Sequence, residues 1–168
     1  MKWHLDHHRF GGLSGLELSQ DGSTFTAISD RGFVMQGKLA RAALPRDRIS
    51  RITVQRYQPL KDETGKRLSK RQYDAEGLAI GTKGNLFISF EGAHRLLHYR
   101  HVGARAEPLP RHADFAGFQA NASVEALAID HTGALYTLPE RSGKTTTPFP
   151  VYRFANGRWD QPFSIPRR

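Results

Sequence analysis

Acidic residues recur in this sequence at matched positions, and carboxylates in such a pattern can hold a cation. Glu76 and Glu125 each stand just before an apolar stretch, and Ser14 holds the same place in an earlier one. Converging carboxylates repel and need a positive partner. Hard oxygen ligands favour Ca²⁺, or else Mg²⁺, so Glu76 and Glu125 are the expected metal ligands. Such a cation could polarise a phosphoryl or carbonyl oxygen or activate water. The plainer alternative is that each Glu accepts hydrogen bonds from a neighbouring segment and tethers it. A second set of acids, Asp30, Glu91 and Glu140, has an arginine near each member: Arg31, Arg95 and Arg141. Guanidinium matches phosphate bidentately, so these six residues, together with Glu76 and Glu125, are candidates to line a ligand site facing an anionic small molecule. Inter-strand ion pairs are the competing reading. Asp74 and Asn121 could complete an oxygen cage, but Asx turns are the expectation for both.

Other chemistries find less support. Gly12-Leu13-Ser14-Gly15 misses the Gly-x-Ser-x-Gly nucleophile elbow because residue 16 is Leu, so Ser14 reads as small-residue packing at a strand start. His4, His7 and His8 sit at the N-terminus and no His-Glu-x-x-His is present. His94 and His98 would lie about 13 Å apart on a strand, too far to share one ion. With no cysteine, disulfides, cysteine–zinc sites and thiol nucleophiles are excluded. No catalytic residue can be assigned from the sequence.

The acids are placed by a repeat. Leu16, Leu78 and Leu127 coincide in three similar segments, starting near residues 13, 75 and 124. A glycine follows each leucine six positions on, at Gly22, Gly84 and Gly133, and the acids Asp30, Glu91 and Glu140 come next. Each unit reads as a β-hairpin: a short apolar strand such as Gly77 to Ile80, a glycine turn, and a second strand such as Asn85 to Phe90. Further strands are expected at Phe33 to Leu39, Ser50 to Tyr57, Arg95 to His101 and Val151 to Phe154. That makes about four strands per unit with no convincing helix. The fold class expected is all-β: four-stranded antiparallel blades of a β-propeller forming one partial domain over residues 1–168. WD40 and kelch marks are not in register. At about 45–50 residues a blade, the chain makes about three to three and a half blades. Closed propellers need at least four. The expectation is therefore a fragment, a truncated product, or half a ring closed by a second copy. The aromatics Phe25, Phe87, Phe90, Tyr99, Tyr136 and Tyr152 read as core.

The chain has 168 residues, with 25 Lys+Arg against 16 Asp+Glu and a net charge of +9. The charge invites a polyanion, but the basic residues are dispersed. The densest patches, Arg41, Arg46, Arg48 and Arg51, then Lys61, Lys66, Arg67, Lys70 and Arg71, read as loops. No helix-turn-helix, zinc finger or RNP pattern accompanies them, so nucleic-acid binding is not expected. No run is apolar enough to span a membrane, and the N-terminus carries no signal-peptide core.

The residues also resemble a known family. Phe10-Gly11-Gly12-Leu13-Ser14-Gly15-Leu16 followed by Ala27-Ile28-Ser29-Asp30-Arg31-Gly32 looks like the opening of the phytase-like domain, described as having esterase-like activity of phytase. Asp74-Ala75-Glu76-Gly77-Leu78-Ala79, then Ser89-Phe90-Glu91 with His94-Arg95, resemble its second and third marks. Asn121-Ala122-Ser123-Val124-Glu125-Ala126-Leu127-Ala128 resembles a later one, with Ser123 where a glycine is usual. The match spans about Phe10 to Arg141, roughly the N-terminal half of the domain. It implies a bacterial β-propeller, often exported to the periplasm or medium, and a hydrolase of a phosphoester or other ester. A non-catalytic propeller that binds a ligand or protein partner is the alternative.

Overall fold

The computed structural model describes residues 4–42, 48–91, 94–118 and 124–167. Asn121, Ser123 and Arg46, singled out above, lie outside the described residues. Among the described residues, twelve strands form three four-stranded antiparallel sheets in simple up-and-down order. The first holds β1 (Leu13–Leu18), β2 (Thr24–Ser29), β3 (Phe33–Arg41) and β4 (Ile49–Pro59). The second holds β5 (Ala75–Ile80), β6 (Leu86–Phe90), β7 (Arg95–Tyr99) and the short β8 (Glu107–Pro108). The third holds β9 (Val124–Ile129), β10 (Leu135–Pro139), β11 (Phe149–Ala155) and β12 (Arg158–Ile165). One turn of 3₁₀ helix at Ala113–Gly117 is the helical element among the described residues.

These are the expected blades, and the repeat supplies the reason. The apolar stretch of each unit becomes the innermost strand (β1, β5, β9), and the segment after each glycine turn becomes the second. Alternation along β2 and β3 sends Ile28 and Val34 one way and Ala27 and Met35 the other. Ile28 and Val34 join Leu78, Ile88, Phe90 and Leu97 in a core between the first and second sheets. Ala79, Leu96, Leu135 and Tyr152 form a core between the second and third. Phe25, Ala27 and Met35 pack with Leu5 and Phe10, so the N-terminal segment covers part of the first sheet's outer face.

The inner strands meet through small residues. A Cβ on Gly15 would lie 2.9 Å from the Leu78 Cβ, and one on Gly77 would lie 2.4 Å from the Glu125 carbonyl oxygen. Neither position has room for a side chain. Ser14 donates its hydroxyl to the Ala75 carbonyl, tying β1 to β5. Each second strand also buries hydroxyl side chains: Thr26 and Ser29 on β2, Ser89 on β6 and Thr137 on β10. Ser89 accepts from the Gly77 N–H at 2.8 Å, where the β5–β6 ladder is interrupted, and Thr137 donates to the Ala126 carbonyl at 2.7 Å.

Two outer strands differ from the sequence reading. β8 and the eight residues of β12 lie outside the strands expected from the sequence. Both are edge strands. β12 is exposed at nearly every position and contains Pro162, a composition that carries no period-two signal and is tolerated only where ladder bonds end.

Candidate functional site

The acids of the three repeats converge at one end of the inner strands. Asp30 directly follows β2, and its N–H bonds the Gly12 carbonyl at 2.8 Å. Its carboxylate occupies the space a side chain at residue 12 would need: a Cβ there would lie 1.8 Å from Oδ1. Gly12 has φ +62°, so glycine is required on both counts. Glu91 follows β6 in the same way, with its N–H bonded to the Asp74 carbonyl at 2.8 Å. Glu76 is on β5, Glu125 is on β9 and Glu140 follows β10.

Asp74, Glu76 and Glu91 offer carboxylate oxygens that all lie within 4.8 Å of one another. Asp74, expected to be a turn residue, is thus a member of the closest acidic group. Glu125 lies outside that triad, so the pair Glu76 and Glu125 is not the tightest oxygen set. Its charge still reaches Glu76. The crowding shows in the titration of the group. Burial raises Glu76 to about 7, and the charges of Asp74, Glu125, Glu91 and Asp30 push the same way. Burial also raises Glu91, helped by Asp74, Glu125 and Glu140. Asp74 is raised by burial and by Asp30, and its carboxyl shares a hydrogen bond with Glu91. Glu125 is raised by burial and then by Glu140. In a chain of net charge +9, six carboxylates at one spot make a strongly negative patch.

The arginines divide. Arg31 Nε lies 3.9 Å from Asp30 Oδ1 and its Nη1 donates to the Phe10 carbonyl at 3.1 Å. Arg141 Nε lies 3.9 Å from Glu140 Oε2. Both are exposed at the rim of the acidic group. Arg95 is not with them. Its guanidinium turns outward between the first two sheets, donating to the Gln72 carbonyl at 2.8 Å and lying over the Phe90 ring. Alternation explains this: Arg95 and Leu97 share the face of β7 that the 61–73 connection covers. Among the described residues, the histidines make no ligand set. His98 bridges Asn85 and Glu107 at the edge of the second sheet.

The donor set is all carboxylate oxygen, which suits a hard divalent cation. Among the described residues, buried Asp30 Oδ1 accepts no hydrogen bond and has only the 3.9 Å ion pair to Arg31. The residues present fit such a group.

A family model described as "Phytase-like: Esterase-like activity of phytase" matches residues 8–168. The chain belongs to the phytase-like family. No curated protein matches the sequence. Among solved structures, this phytase-like chain is similar to U3-55K (TM-score 0.53, 13% identity), with 92% of this chain and 40% of that one covered. It is similar to a luciferin-regenerating enzyme (TM-score 0.51, 14% identity, 93% and 48% covered). It is also similar to the WD40 repeats of RRP9 (TM-score 0.52, 12% identity, 95% and 40% covered). At such identities the likeness concerns the fold, which is a β-propeller. The chain spans less than half the length of these structures. No helix among the described residues is long and apolar enough to cross a membrane.

Proposed function

We propose that this phytase-like propeller binds a divalent cation, Ca²⁺ or Mg²⁺, at the Asp74–Glu76–Glu91 group and hydrolyses a phosphoester or other ester there. The observation that carries the reading is the close Asp74–Glu76–Glu91 group, reached by the charges of Asp30, Glu125 and Glu140 from the neighbouring repeats. A bound cation would supply charge for a phosphoryl or carbonyl oxygen. Arg31 and Arg141 on the rim would receive an anionic substrate. A calcium site of this kind suits the periplasm or medium, where modules work with dissociation constants of about 10⁻⁴–10⁻³ M.

The alternative is a non-catalytic propeller module for a ligand or protein partner. One observation favours it: Ser14, the serine at the repeat position, spends its hydroxyl on the Ala75 carbonyl and is not free to act as a nucleophile. Calorimetric titration of chelator-treated protein with Ca²⁺, run with assays on a phosphate and an acetate ester, decides. Stoichiometric binding with Ca²⁺-dependent hydrolysis, both lost in Glu76→Gln/Glu91→Gln, supports the hydrolase. Binding without hydrolysis supports the module. No binding overturns the cation site.

The partner we propose for the outer faces is a second copy of the chain. Inside the molecule Leu78 lies against Gly15 and Leu127 against Gly77. Leu16 and Ala126 hold the same repeat positions on the two uncovered faces and are exposed. They are complementary halves of the contact already made twice, and two copies related by a two-fold axis would close a ring through them.

A further inference from the structure

The separation of Arg95 from the acids leaves it in a site of its own. Between the 61–73 connection, β7 and the end of β8 lies a cavity of about 150 Å³. Arg95 and Arg111 both line it, over an apolar floor that includes Leu97 and Leu109. Arg95 is fixed in place: its Nη2 holds the Gln72 carbonyl at 2.8 Å and its guanidinium carbon lies 5.0 Å from the Phe90 ring centre. Among the described residues, no carboxylate comes within ion-pair distance of either guanidinium. Asp62 and Glu63 stand at the edge of the cavity. The Asp62 carboxylate is engaged by its own turn, through the Thr64 N–H at 2.8 Å, the Thr64 hydroxyl at 2.7 Å and the Lys66 N–H at 3.0 Å. Glu63 is exposed and favours the charge on Arg95 only from a distance.

We propose that Arg95 and Arg111 form a binding site for one small oxyanion, a carboxylate or a phosphate group, at the periphery of the second blade. Two neighbouring cations, one half-buried, repel each other and lose hydration. Burial lowers the Arg95 guanidinium from its ordinary value; Arg111 lowers it further, while Tyr99 and Glu63 act the other way. An oxyanion between them would relieve both costs through charge-assisted hydrogen bonds. Size sets the class. The cavity is well below the roughly 300 Å³ at which organic ligand pockets begin, so it suits a single anionic group on a short apolar stem. A nucleotide does not fit. The site is built from the second blade and the connections on either side of it and does not depend on the cation reading.

The test uses the full chain and inorganic phosphate, followed through the arginine Nε–H signals by NMR at constant ionic strength in chloride. The expected result is a saturable shift at Arg95 and Arg111, weakened about tenfold in Arg111→Gln by loss of one charge-assisted partner. Arg111 is exposed, so this variant keeps the fold, and Arg51→Gln, on exposed β4 surface, serves as a control that leaves binding unchanged. An N-acetylated dipeptide with a free C-terminus distinguishes the source. Displacement of phosphate by the dipeptide assigns the site to a polypeptide carboxylate; failure to displace assigns it to a free anion. No saturable shift at the two arginines, or an equal response in Arg111→Gln, overturns the proposal.

Discussion

The inner strand of the second blade and that of the first carry the same repeat and have opposite surroundings. Leu78 on β5 is 4% exposed, whereas Leu16, its counterpart on β1, is 63% exposed. Leu78 has a neighbouring blade whose Gly15 leaves room for it, and Leu16 faces no blade within the chain. One residue type at one repeat position is therefore a core residue in one blade and an exposed one in the next. A propeller blade is completed by its neighbour, and the stability of a position is set by whether that neighbour is present.

Paired substitutions break or sharpen this contrast. Leu78→Ala removes a fully packed side chain and is expected to cost about 3 kcal/mol in urea unfolding, while Leu16→Ala stays within about 0.5 kcal/mol in dilute monomer. Equal costs would show that the two faces are alike in solution. Gly77→Ala places a methyl 2.4 Å from the Glu125 carbonyl oxygen and is expected to cost about 2 kcal/mol. The same change at exposed Gly84, where nothing is near but φ is +77°, costs about 1 kcal/mol from backbone strain alone. Leu16→Glu should leave monomer stability nearly unchanged and halve the solution mass measured by light scattering. A parent chain that runs at 18.9 kDa would rule out the second copy.

A smaller effect is expected from the acids at the end of the inner strands. Glu76 is raised from 4.5 to about 7, chiefly by burial, so the folded state binds its proton more tightly than the unfolded chain does. Its contribution to stability is present below about pH 4.5 and is lost as pH rises through 7. Asp74, Glu91 and Glu125 shift the same way. Asp21, Asp62, Asp130 and Glu107 shift downward and titrate below this window. Without divalent cation, the melting temperature should fall by a few degrees between pH 5 and pH 8, and Glu76→Gln should flatten that slope. Calcium at pH 8 should restore the loss. A melting temperature independent of pH in this range would mean that neither burial nor neighbouring charge raises these carboxyls in the folded protein.

Much of this molecule was legible because its sequence repeats. The coincidence of Leu16, Leu78 and Leu127, with glycine and acid at matched distances, marked the hairpins, and the inner strands and acids lie where that register put them. The edge strands β8 and β12 were not legible. A strand exposed on both faces has no reason to alternate, and its position is dictated by the ladder of the strand beside it.

The local chain determined the strands, the glycine turns and the family resemblance, because these depend on spacing along the chain. Tertiary structure decided three things that spacing does not contain. It moved Asp74 into the acidic group, since the β5–β6 hairpin brings its carboxyl to Glu91. It took Arg95 out of that group, since strand alternation aims it at the 61–73 connection. It made Leu78 core and Leu16 surface, because burial is a property of the neighbouring sheet and not of the residue.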